Sequence, residues 1–96
     1  MQTNHKWPDK SSKELFKAIL ALKNEQEAVN FFRDLCTLEE LAEMARRWQS
    51  VIMLNQGKSY RDIADKTGLS TTTVTRVAHW LNYGQGGYKL ILKRIK

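Results

Sequence analysis

The chain has 96 residues, 42% of them hydrophobic and 27% charged, with one cysteine and a net charge of +6. That length allows one domain, the composition excludes a disordered chain, and a lone Cys36 excludes an intrachain disulfide framework. Eight basic and eight acidic residues balance over 1–56, whereas 57–96 carries eight basic residues against Asp62 and Asp65, so the whole excess is C-terminal and implies an anionic partner.

The first helix is expected from Ser11 or Ser12 to about Lys23. Ser11 and Glu14 make a capping-box pattern, and Leu15, Ile19 and Leu22 share a face. The second is expected over Glu25–Leu35, with acidic residues in its first turn and a buried stripe of Val29, Phe32 and Leu35 beside Ala28 and Phe31. Thr37 and Glu40 suggest another capping box, opening a third helix of about 18 residues. Leu41, Ala45, Trp48 and Ile52 recur along it, Met44, Val51 and Leu54 widen the stripe, and Gly57 suits its C-terminal cap. So broad an apolar surface in so short a chain predicts a homodimer.

Two shorter helices follow, roughly Ser59–Lys66 and Ser70–Tyr83. The run Gly84-Gln85-Gly86-Gly87 breaks the pattern, and a last helix over about Tyr88–Ile95 is expected to bury Leu90, Ile91 and Ile95. No strand-like alternation or repeat is present, so the fold class is all-α with about six helices. Residues 1–96 are read as a single helical DNA-binding domain.

Residues 59–83 carry the functional signal. Ser59 can cap the first of the two helices, Ile63 and Ala64 face inward, Gly68 supplies a tight turn, and Leu69 plugs the space between the helices. Ser70 caps the second, whose buried face is Val74, Val77, Ala78 and Leu81. The opposite face presents Thr71, Thr72, Thr75 and His79, with Thr73 and Arg76 beside them. Short hydrogen-bonding side chains at a helix N-terminus suit base edges and phosphates in a major groove. Arg61 can reach a base or a phosphate, and Lys58 and Lys66 are placed to neutralise phosphates. The segment therefore predicts a helix-turn-helix that binds double-stranded DNA. A non-specific nucleic-acid-binding protein and a helical protein–protein adaptor remain open alternatives.

Other chemistry is not indicated. His5, Cys36 and His79 lack metal-ligand spacing, no nucleophile or phosphate-loop motif is present, and no cofactor is expected. Cys36 is read as a core or near-core thiol, and Trp7, Trp48 and Trp80 as packing residues. The first ten residues lack a signal-peptide core, and no apolar run approaches the roughly 20 residues that span a bilayer. A cytoplasmic, non-enzymatic protein is expected.

From Thr37 to about Leu81 the chain resembles the tryptophan-repressor superfamily, in particular its small bacterial tryptophan-repressor-like branch (the YerC/YecD type). The resemblance rests on Thr37-Leu-Glu-Glu opening a long helix, Arg47 within it, Gly57 ending it, then Arg61, Gly68 and Thr73-Val-Thr-Arg76. It implies an intertwined all-helical homodimer with two recognition helices in successive major grooves, and so a transcriptional regulator, by expectation a repressor. It also implies an effector pocket at Thr37, Arg47, Arg76, Val77 and Trp80. Arg47 and Arg76 match the arginines that sandwich an indole in tryptophan-binding members. Val77 and Trp80, however, stand where those members have a glycine and a serine, which argues against L-tryptophan and leaves any effector unknown.

Overall fold

The computed structural model describes residues 6–95, all its regular elements being helices. The chain divides into two compact units, Met1–Thr37 and Leu38–Lys96.

The first unit holds α1 (Lys10–Leu20) and α2 (Glu25–Leu35). The cap of α1 is Asp9, not Ser11: its carboxylate accepts the Ser12 backbone N–H at 2.8 Å, while the Ser11 hydroxyl donates to the same oxygen at 3.4 Å. An aspartate in extended conformation directly ahead of the helix starts it earlier than the serine pair suggested. The helix also ends earlier, at Leu20 rather than near Lys23. Asn24 caps α2 by accepting from the Glu27 N–H at 2.9 Å, and the Glu27 carboxylate accepts from the Lys23 N–H at 2.9 Å.

Neither helix contains a buried residue. Ala28, Phe31 and Phe32 are half-buried, with the two phenylalanines edge-to-face at 5.4 Å. Val29 and Leu35, expected in the buried stripe, are 47% and 49% exposed. A two-helix unit has too few neighbours to cover a full apolar face.

The second unit holds α3 (Leu38–Asn55), α4 (Tyr60–Thr67), α5 (Thr71–Tyr83) and α6 (Gly87–Arg94). Helices α3, α4 and α5 pack on one another, and α6 packs on α5. Val51, Met53, Ile63, Leu69, Val74, Val77 and Ala78 form the buried apolar core. On α3 the buried residues are Ser50, Val51 and Met53; Leu41, Trp48 and Ile52 are half-buried, and Met44 and Ala45 are exposed. Of the expected stripe, Val51 is therefore fully buried and Leu54 packs against the core, whereas Met44 and Ala45 remain exposed. Leu90, Ile91 and Ile95 are likewise exposed by 40–55%, and Tyr88 and Leu92 are the half-buried residues of α6.

At the end of α3, the Lys58 N–H reaches the Met53 carbonyl at 3.1 Å and the Gly57 N–H the Leu54 carbonyl at 3.0 Å. This double closure needs the left-handed backbone that Gly57 supplies (φ 81°). It turns the chain directly into the next helix.

Candidate nucleic-acid interface

Each end of α4 and the start of α5 is fixed by a local hydrogen bond. The Ser59 hydroxyl accepts the Asp62 N–H at 3.1 Å, and the Ser70 hydroxyl accepts the Thr73 N–H at 3.0 Å. Gly68, at φ 80°, ends α4 with its N–H on the Ala64 carbonyl at 2.9 Å. Thr67 locks the turn from inside. Its buried hydroxyl donates to the Ile63 carbonyl at 2.7 Å and accepts the Leu69 N–H at 3.2 Å. Leu69 then lies in a cluster with Met53, Ile63 and Val74, against which Leu54 and Ala64 pack.

With Val74, Val77 and Ala78 buried, α5 turns Thr71, Thr72, Thr75, Arg76 and His79 outward. The Thr75 hydroxyl donates to the Thr71 carbonyl at 2.9 Å. Among the described residues the Thr71 and Thr72 hydroxyls have no partner. The His79 ring lies 5.2 Å from that of Tyr83. Lys58, Arg61 and Lys66 are exposed, and among the described residues none of them, nor Arg76, is held in an ion pair. The result is a helix N-terminus bearing free hydroxyls, with the unpaired cation Arg76 further along the same helix and Arg61 and Lys66 on the preceding one, a set of groups suited to phosphate and base-edge hydrogen bonding.

The residues of the expected effector pocket are placed differently from one another. Arg47 is half-buried on α3, Arg76 is exposed on α5, Val77 has no exposed surface, and Trp80 is 45% exposed. Thr37 is exposed and immediately precedes α3. Of this set only Trp80 lines the cavity of about 700 Å³ beside α5 and α6, together with Trp48, Gly84, Gln85, Gly87, Tyr88 and Ile91. Trp48 and Tyr88 meet there with ring centroids 6.0 Å apart. Sequence reasoning missed this cavity, because Trp48 and Tyr88 lie far apart in the chain and the glycine run before α6 reads only as a connector. Cys36 is half-buried, and among the described residues no group of His, Cys, Asp or Glu could hold a metal; His5 lies outside them. Among the described residues no helix is long and apolar enough to cross a membrane.

These features define a small all-α protein built around a helix-turn-helix whose outer helix face exposes threonine hydroxyls and an arginine. The chain belongs to the Trp repressor family, whose model matches residues 10–96. It is 43% identical over 83 residues to YerC of Bacillus subtilis (strain 168), a protein of uncharacterized function, covering 86% of this chain and 80% of that one. A crystal structure of a TrpR-like protein from Eubacterium eligens ATCC 27750 superimposes with a TM-score of 0.87 at 42% identity, covering 92% of this chain and 91% of that one. A candidate Trp repressor from Staphylococcus aureus gives a TM-score of 0.83 at 41% identity over 88% of this chain and 85% of that one.

Proposed function

We propose that this protein is a sequence-specific DNA-binding transcriptional regulator, a repressor, that acts as a homodimer and has no enzymatic activity. Helix α5 enters the major groove, with Thr71, Thr72, Thr75, Arg76 and His79 toward the bases and adjacent backbone. Ser70 fixes the start of the helix, Arg61 reaches a base edge or phosphate, and Lys58 neutralises phosphate. The observation that carries this reading is the outer face of α5, where the unpartnered Thr71 and Thr72 hydroxyls share a capped helix with the exposed cation Arg76. Membership of the Trp repressor family supports it.

The dimer is supported by the apolar surface left uncovered on the single chain, including Leu38 at 65% and Ile95 at 55% exposure. Two-fold symmetry then places the recognition helices on half-sites about one helical turn apart. DNA binding proceeds without L-tryptophan, a reading supported by Val77 and Trp80 standing where the tryptophan-binding members have a glycine and a serine, and by the complete burial of Val77.

Selection from a random duplex pool tests the reading. An approximately palindromic consensus is the expected outcome. Binding that shows no preferred site and collapses with salt would instead make the protein a non-specific binder, and no duplex binding at all would make it an adaptor.

A further inference from the structure

No acidic residue follows Asp65, and the cations of that region are unevenly placed. Over 58–83 the chain has Lys58, Arg61, Lys66 and Arg76 against Asp62 and Asp65, four positive charges to two negative. Beyond residue 83 it has Lys89, Lys93, Arg94 and Lys96 with no acid at all. The helix-turn-helix is thus the less positive of the two regions, and the charge of α6 lies outside the reading helix.

Helix electrostatics accounts for only part of this charge. Lys93 and Arg94 lie in the last turn of α6, where the dipole favours cations. Lys89 lies in the first turn, where the dipole disfavours one, and no carboxylate accompanies it. Among the described residues none of the three cations forms an ion pair.

Lys89 and Lys93, one turn apart, flank a groove of about 560 Å³ shared with Asn55 and Asn82. Asn55 is the last residue of α3, and the turn closed by the Lys58 N–H leads straight to Ser59, the cap of α4. The α6 lysines therefore border the end of α3 from which Lys58 and the N-terminus of α4 emerge. The rest of the groove is Leu54, Leu81 and Leu92, and the Asn82 amide already donates to the Ala78 carbonyl at 2.9 Å, so its polar capacity toward a ligand is carried by the two exposed lysines, which suit a polyanion running past them.

We infer that Lys89 and Lys93 form a phosphate-contacting track that extends the DNA interface of α4 and α5 onto duplex flanking each half-site. This rests on the DNA-binding reading. The track touches backbone alone, so it adds affinity and salt dependence without altering base preference.

The test compares the full-length protein with its Lys89→Gln/Lys93→Gln variant. Two duplexes are used, one limited to the selected site and one extended by about ten base pairs on each side. On the long duplex, the slope of log affinity against log salt should fall by roughly 0.9 for each phosphate that is no longer neutralised. The short duplex and the base preference should be unaffected, and Lys89→Arg/Lys93→Arg should retain the wild-type slope. Circular dichroism verifies that each variant is folded.

Equal weakening on both duplexes would overturn the flanking placement. An unchanged slope and affinity on the long duplex would overturn the phosphate track. A wild-type protein that binds no duplex would sink the DNA-binding reading along with this one, whereas the other two results leave that reading intact.

Discussion

The Thr75 hydroxyl is committed to the Thr71 carbonyl, so toward solvent it offers lone pairs and a methyl group rather than a proton. Thr72 carries no such tie and can donate as well as accept. The two residues should therefore read different features of a base pair, Thr75 a donor or a thymine methyl and Thr72 either partner of a hydrogen bond. Replacing either with alanine should change preference at one operator position by about 1–3 kcal/mol, measured by binding to a panel of single-base variants. Lys58→Ala should weaken every duplex alike and lower the salt slope by about one unit. An unchanged preference after replacing Thr71, Thr72 and Thr75 together would remove α5 as the reader. Val77 decides a separate question. It has no exposed surface, and a packed interior accepts added volume at a cost of about 1–3 kcal/mol. An indole brought against it would have to displace core. Calorimetric titration with L-tryptophan should show no useful binding, and operator affinity should not change on its addition. Micromolar binding with a tenfold gain in operator affinity would restore a tryptophan sensor.

At the scale of the elements, the turn between α4 and α5 depends on two adjacent residues for different reasons. Thr67→Val should destabilise the protein by about 1–3 kcal/mol, because the buried Leu69 N–H loses its acceptor. Gly68→Ala should cost about 1–2 kcal/mol through the left-handed backbone alone, since a methyl group there meets no atom within 4 Å. Urea unfolding separates these from a neutral change. Helix α1 should respond to acid. Hydrogen bonds from the Ser12 hydroxyl and N–H hold the Asp9 carboxyl below its ordinary value. A carboxylate depressed on folding contributes stability above its unfolded pKa and loses it as pH falls through the folded one. The start of α1 should therefore fray in acid below the ordinary carboxylate range, and Asp9→Asn should keep the cap while removing that pH dependence; NMR shifts of Ser11–Lys13 report both. Much of this architecture was legible in the residues. Glu25 and Leu35 bound α2 as expected, α3 has its expected length, and the inward and outward faces of α5 follow from Val74, Val77 and Ala78 against the threonines. Coverage was not legible. Periodicity marks Val29, Leu35, Leu90 and Ile91 as apolar, but whether another helix lies over them is a property of the tertiary arrangement. The meeting of Trp48 with Tyr88 escaped for the same reason.

For the whole molecule, the apolar surface is divided very unevenly. Among the described residues, all seven buried apolar ones lie between Val51 and Ala78, while Leu20 at 83% and Leu38 at 65% exposure stand outside that core. The proposed homodimer covers such surface with a second copy, and sedimentation should find a dimer at micromolar concentration. A stable folded monomer there would contradict it. The absence of any buried residue from α1 and α2 has a further consequence for how the molecule opens. Segments with few buried contacts unfold locally at far less free energy than the core around them. In a lone subunit the backbone amides of α1 and α2 should exchange with deuterium long before those around Ile63 and Val74. A homodimer of the proposed kind that covers α1 and α2 would raise the free energy of that opening by mass action, so their exchange should then slow as protein concentration rises, while the slowest core amides track global unfolding. Deuterium uptake by Lys10–Leu35 would then gauge subunit association directly, and the segment would act as a latch that is fastened only when two chains meet.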